Sequence, residues 1–373
     1  MDVPFWVWAI TIAAILAMIV FDFVGHVRTP HAPTLRESAT WSAVYVGIAV
    51  LFGLGVLWFA GPEYGGEYFA GYITEKSLSV DNLFVFVLIM ASFAVPRELQ
   101  QKVLLFGIAF ALVLRTIFIL IGAAAIENFS WVFYLFGAIL LYTAYVQARS
   151  GGKAEDHYEE NGILRLVRRI VPTTDDYHSD RLVTRLLGKR HITPLMIALV
   201  AIGSADILFA VDSIPAIFGL TQETYLVFAA NAFSLLGLRQ LFFLIDGLLD
   251  RLVYLSYGLA VILGFIGAKL VIHALHTNEL PFINGGEHIT AIPEIPTWLS
   301  LVVILATLVV TTVASLAKNR RDARAEAGPA VAAGQPGTAL DGAATRQAAG
   351  PDADAAAPGA APVVEPRPAP PAP

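Results

Sequence analysis

The chain has 373 residues, of which 57% are hydrophobic and 14% charged, with no cysteine and a formal net charge of −6. Soluble domains carry about 25% charged residues, so this chain cannot cover a water-soluble particle of its size and reads as an all-α polytopic membrane protein. The lack of cysteine excludes disulfides, thiol redox chemistry, Cys-ligated iron–sulfur clusters and thiolate metal sites.

Windows of about twenty apolar residues cross a bilayer. Nine are read in chain order: 4–24, 41–60, 68–94, 103–126, 130–148, 194–220, 225–245, 253–273 and 297–317. The first starts at Pro4 without a basic leader and is too long for a signal-peptide core, so it is expected to be retained. Residues 1–148 thus hold five spans, 149–193 a large connection, and 194–317 four more spans. The Ala/Pro/Gly-rich tail 318–373 is expected to be disordered. Within 149–193, the amphipathic stretch from Ile163 to Val171 with Arg165, Arg168 and Arg169 reads as a helix lying on the inner leaflet.

Charge orients the spans. Connections on one side hold eighteen Lys and Arg, nine of them between Arg149 and Arg190; those on the other hold none, but carry Asp2, Glu63, Glu67, Glu127, Glu223, Glu279, Glu287 and Glu294. The positive-inside rule puts the N-terminus outside and the C-terminus in the cytoplasm.

The third and sixth spans resemble each other. Glu75-Lys-Ser-Leu-Ser-Val-Asp81-Asn lies against Asp206-Ile-Leu-Phe-Ala-Val-Asp212-Ser, and in the following spans Leu114-Arg115 lies against Leu238-Arg239. Three spans per unit force the second copy to cross in the opposite sense, an inverted repeat of three plus three helices from about 68 to 273.

Glu75, Lys76, Asp81, Arg115, Asp206, Asp212, Arg239 and Lys269 lie inside apolar spans, where each charge costs about 2.5–3.5 kcal/mol on insertion scales. Asp22, Asp246 and Asp250 fall near span ends and are read as solvated. At about 1.5 Å per residue, depth counting puts Glu75 level with Asp212 and Asp81 level with Asp206, two acidic rungs along a path. Gly203 and Pro215 are the expected sources of a helix break. Four carboxylates with Asn82, Ser77, Ser79, Ser204, Ser213 and freed carbonyls form an all-oxygen environment suited to Mg²⁺, Ca²⁺ or Mn²⁺. Asn231 is a further candidate ligand, or a polar residue packed between helices. Alternatively, the four acids pair with Lys76, Arg115, Arg239 and Lys269 as structural ion pairs, or some of those bases act as counter-ions that a cation displaces. Gly258, Gly264 and Gly267 are expected to permit close helix approach, and Trp6, Trp8, Trp41, Trp58, Trp131 and Trp298 to form an interfacial belt.

The stretches 75–84, 205–216 and 231–243, with Val171-Pro-Thr-Thr-Asp-Asp-Tyr-His178 and Ile295-Pro-Thr-Trp-Leu-Ser-Leu301, resemble the TerC family over roughly residues 1–317, and most closely its long, Alx-like branch. The resemblance implies a relation to LysE-type exporters, to tellurite resistance and to manganese efflux, with Glu75, Asp81, Asp206 and Asp212 as metal-handling positions. The expectation is a bacterial plasma-membrane exporter of a hard divalent cation, Mn²⁺ favoured, without enzymatic activity or resident cofactor. Its partners are the cation and the lipid bilayer, with self-association open and no nucleic acid. The alternative is a non-transporting component or redox modulator of a stress-resistance complex, for which the chain lacks cysteines and buried paired histidines.

Overall fold

The computed structural model describes residues 1–27, 33–150, 165, 181–186, 189–245, 254–281, 283–289 and 292–330. The stretch 163–171 expected on the inner leaflet, apart from Arg165, the motif 171–178, Asp246, Asp250, Arg251 and most of the tail lie outside them. Residues 1–324 form one unit. Of the second, 325–373, residues 325–330 continue the last helix.

Among the described residues, ten α-helices of five or more residues follow the nine apolar windows, because one window is broken in two. They are α1 (Phe5–Asp22), α2 (Leu35–Phe59), α3 (Pro62–Ser92), α4 (Arg97–Asn128), α5 (Val132–Ser150), α6 (Pro194–Phe218), α7 (Thr224–Leu235), α8 (Leu238–Ile245), α9 (Leu255–His276) and α10 (Thr297–Ala330). A π-helical turn, Phe23–Val27, extends α1, and a short antiparallel hairpin, β1 (Val183–Leu186) with β2 (Lys189–Ile192), precedes α6. Helix α10 carries regular structure past Lys318 to Ala330, beyond the expected start of disorder.

Eight segments among the described residues are long and apolar enough to cross a membrane, with α7 and α8 counted together. The remaining anticipated span is α3. Its 31 residues are sufficient in length, but Glu63, Glu67, Glu75, Lys76 and Asp81 distribute five charged side chains along it. A helix of that composition is tolerable in lipid only when other helices surround it.

The packing supplies that shield. Every residue of α7 from Tyr225 to Leu235 is buried, whereas α1, α2 and α10 expose large apolar side chains such as Phe5, Trp58, Phe59, Val309 and Val310. Helices α3, α6 and α7 therefore form the interior, and the other helices present an apolar perimeter. Helix α3 packs on α7 as α4 packs on α6, and α5 lies along α9 in the most extensive helix pair.

That last pair depends on glycine. A Cβ on Gly137 would stand 2.7 Å from Val271 Cγ2 and 3.1 Å from the carbonyl oxygen of Gly267. Gly267 meets Leu140 and Gly137 in return and Gly258 lies against Thr311, as expected, while Gly264 makes only ordinary contact with Ala144. Trp6, Trp58, Trp131 and Trp298 are exposed on the perimeter. Trp8 instead packs edge-on against Tyr225, with ring centroids 4.9 Å apart.

Candidate functional site

At the centre of the bundle, Arg115 of α4 reaches between α3 and α6. Its Nη2 donates to Asp206 Oδ1 at 2.9 Å and its Nε to Asp206 Oδ2 at 3.3 Å, while Nη1 donates to Glu75 Oε1. Asn231 Nδ2 on α7 donates to the same Glu75 oxygen at 3.0 Å. All four side chains are buried, with Glu75 at 0% and Arg115 at 1% exposure. Glu75 and Asp206 occupy matching positions of the two similar segments, so the structure joins the equivalent acids through one guanidinium.

The second acids of the two segments behave differently. Asp81 accepts from Gln147 Nε2 at 2.9 Å. Asp212 lies within electrostatic range of both Asp81 and Arg115, and both carboxylates are partly exposed. The levels expected from depth counting paired Glu75 with Asp212 and Asp81 with Asp206; the structure instead joins Glu75 to Asp206 through Arg115. Counting along each axis does not register the reach of arginine, whose planar fork takes carboxylates from two levels. Asn82 is buried on α3.

The other three bases do not pair with these acids. Arg239 Nη2 binds Asp22 Oδ1 at 3.1 Å and its Nη1 binds Gln101 Oε1 at 3.1 Å. Asp22, read from sequence as solvated, is only 4% exposed, because the chain continues beyond it as the π turn and α8 covers it through Arg239 and Gln240. Lys269 stands in the cavity described below, within electrostatic range of Glu67 and Glu294. Lys76 Nζ donates to the carbonyl of Ser234 at 3.0 Å.

That carbonyl is available because the seventh span breaks. Leu236 is extended (ψ 130°) and Gly237 has φ +83°, separating α7 from α8. The break leaves carbonyls of the last turn of α7 without helical donors, and the Lys76 ammonium caps one of them at the negative end of the helix dipole. Helix α6, where a break was expected, runs continuously from Pro194 to Phe218 with Pro215 inside it. The signal in the sequence was the lone glycine in Ser234-Leu-Leu-Gly237, hidden in an apolar run.

Two oxygen acceptors of this centre, Glu75 Oε2 and Asn231 Oδ1, are buried without a hydrogen-bond partner, and the hydroxyls of Thr74 on α3 and Ser213 on α6 are likewise unpartnered. Buried acceptors left unpaired cost about 1–3 kcal/mol each, and oxygen donors of this type suit a hard cation. Among the described residues no three Asp, Glu or His side chains already converge into a metal-ligating group, since Arg115 stands between the two acids.

A cavity of about 970 Å³ opens at one end of the bundle, lined by Glu63, Glu67, Glu223, Glu294, Lys269 and His273. Thr221 Oγ1 donates to Glu67 Oε2 at 2.6 Å, and His273 Nδ1 lies 3.1 Å from Glu294 Oε1. Sequence reasoning placed these acids in connections but did not foresee that they share one cavity.

Residues 60–323, including every member of the central cluster, match the integral membrane protein TerC family. The chain belongs to the TerC family. TerC relatives include the uncharacterized membrane protein Mb2742 of Mycobacterium bovis, 58% identical over 312 residues (83% of this chain and 78% of the relative). STKORF319 of Myxococcus xanthus, also an uncharacterized membrane protein, is 40% identical over 84% of this chain and 92% of its own length. Alx of Escherichia coli, whose name proposes a membrane-bound redox modulator, is 40% identical over 66% of this chain and 78% of its own. No solved structure matches this TerC protein.

Proposed function

We propose that this TerC protein is a membrane transporter exporting a hard divalent cation, with Mn²⁺ the favoured cargo. The observation that carries the reading is the meeting of Glu75 on α3 and Asp206 on α6 across Arg115 at the buried centre, beside the unpartnered Glu75 Oε2 and Asn231 Oδ1 and a helix broken at Gly237. Acids retained in lipid at such cost mark ion pathways. Discontinuous helices near the midplane, at the junction of inverted repeats, are a recurring transporter device.

The packing is compatible with that repeat: exchanging α3, α4 and α5 for α6, α7–α8 and α9 leaves the α3–α7, α4–α6 and α5–α9 pairings unchanged. With the lysine- and arginine-rich connections in the cytoplasm, the acidic cavity would be the external vestibule, and the cation would pass from Asp81 and Asp212 or their neighbours into it. Tellurite resistance would then be a consequence of ion handling. The name of Alx suggests a redox role as the second reading. With no cysteine in the chain, that role would need an electron carrier other than a thiol.

The test is cation accumulation by everted membrane vesicles with a panel of Mn²⁺, Mg²⁺, Ca²⁺ and Zn²⁺, comparing the wild type with Asp81→Asn and Asp212→Asn. The reading expects one or more cations to accumulate in wild-type vesicles and the variants to lose that accumulation; undiminished transport by both variants sinks the site assignment.

A further inference from the structure

We propose that Arg115 is a tethered surrogate cation: in the empty protein its guanidinium occupies the cargo's seat between Glu75 and Asp206, and cargo binding displaces it. The inference rests on the transport reading above and specifies how its site works when no cargo is present.

The stoichiometry of the cluster argues for it. Glu75 and Asp206 carry two formal negative charges and Arg115 one formal positive charge, so by formal charge the guanidinium half-neutralises the pair that it bridges. A divalent cation would match the pair. The hydrogen bonding argues the same way. Arg115 engages one oxygen of Glu75 and both of Asp206, while Glu75 Oε2 and Asn231 Oδ1 are left buried without partners. A purely structural arginine clamp is favoured where every acceptor is satisfied. This one leaves oxygens that a six- to eight-coordinate cation would use.

The displaced guanidinium also has a destination. Asp212 lies within electrostatic range of Arg115 and of Asp81, and Asp81 accepts a hydrogen bond from the neutral Gln147. Swinging from Asp206 toward Asp212, Arg115 would move from one acid of α6 to the next, keeping a carboxylate partner throughout. The other three intramembrane bases cannot play this part, because Lys76 caps α7, Arg239 is held by Asp22 and Gln101, and Lys269 lines the cavity.

Two consequences distinguish a competitor from a scaffold. Removing a competitor tightens cargo binding, whereas removing a scaffold weakens it. An empty site that loses its own cation becomes reluctant to reorient, so net transport falls while cargo-for-cargo exchange survives.

The experiment uses the purified full-length chain, with Mn²⁺ as the probe, in calorimetric binding and in reconstituted vesicles. If the arginine-closed state outweighs the open one by about ten to one, Arg115→Gln binds Mn²⁺ about ten-fold more tightly than the wild type. It should also retain Mn²⁺–Mn²⁺ exchange while net Mn²⁺ efflux falls by a similar factor. Arg115→Lys keeps the charge but not the fork, and its affinity should fall between the two; it carries the test alone if Arg115→Gln does not fold. Affinity in the folded variants equal to or weaker than wild type overturns the surrogate-cation role. Wild-type protein that binds and moves no Mn²⁺, Mg²⁺ or Ca²⁺ overturns instead the transport reading beneath it.

Discussion

Lys76 on α3 donates its ammonium proton to the carbonyl oxygen of Ser234 at 3.0 Å, across a helix interface and at the point where the seventh span breaks. A lysine inside an apolar helix is here the cap of another helix. Lys76→Met removes both charge and donor, leaving the carbonyl buried and unpaired, and should destabilise the protein by about 1–3 kcal/mol. Lys76→Gln retains a donor and should recover part of that loss in a thermal unfolding series. Equal loss in both variants would show that charge alone matters.

The break depends on Gly237. Its φ of +83° suits glycine, and an added Cβ would lie 3.0 Å from Tyr45 Cβ. Gly237→Ala should therefore cost about 1–2 kcal/mol for the left-handed backbone, with crowding against Tyr45 in addition. A lowered melting temperature in detergent checks this. An unchanged one would mean that α7 and α8 can join into one helix at no cost.

The Asp22–Arg239 pair ties α1 to α8 through side chains buried to 4% and 3% exposure. Removing one member of a buried pair costs about 3–5 kcal/mol because the other is left charged and unsolvated. Asp22→Asn and Arg239→Gln should each destabilise strongly, whereas the double variant should lose much less than their sum. A double-mutant cycle of unfolding measurements reads the coupling, and additivity would contradict the pairing.

Close approach of α5 and α9 predicts that Gly137→Ala destabilises by about 1–3 kcal/mol, the usual cost of overpacking. Its new methyl group would stand 3.1 Å from a backbone carbonyl that cannot rotate away. This substitution is remote from the acids, so cation selectivity measured in vesicles should be unaltered while thermal stability falls.

The sequence made some of this legible and hid the rest for identifiable reasons. Apolar windows located the helices because lipid imposes length and composition together. Start points were less visible: α3 begins at Pro62 rather than near residue 68, since Glu63 and Glu67 look like connection residues until the cavity is seen. The internal similarity singled out the intramembrane acids, because charges inside a span stand out against leucine and phenylalanine. It could not say which acids meet, since that depends on where Arg115 reaches. Asp22 was misjudged by its distance from a span end, although burial is decided by what packs over it. The α7–α8 break left only one glycine as its trace.

The central claim is that the acids of α3 and α6 carry a divalent cation across the membrane. Mn²⁺ flux into proteoliposomes containing the wild type, Asp206→Asn or Asp81→Asn tests it most directly, with correct folding verified by the same melting assay. The account predicts wild-type flux well above that of protein-free vesicles and at least about a ten-fold reduction in each variant, equivalent to about 1.4 kcal/mol or more. Wild-type flux no greater than that of protein-free vesicles, or full flux in both variants, would contradict it.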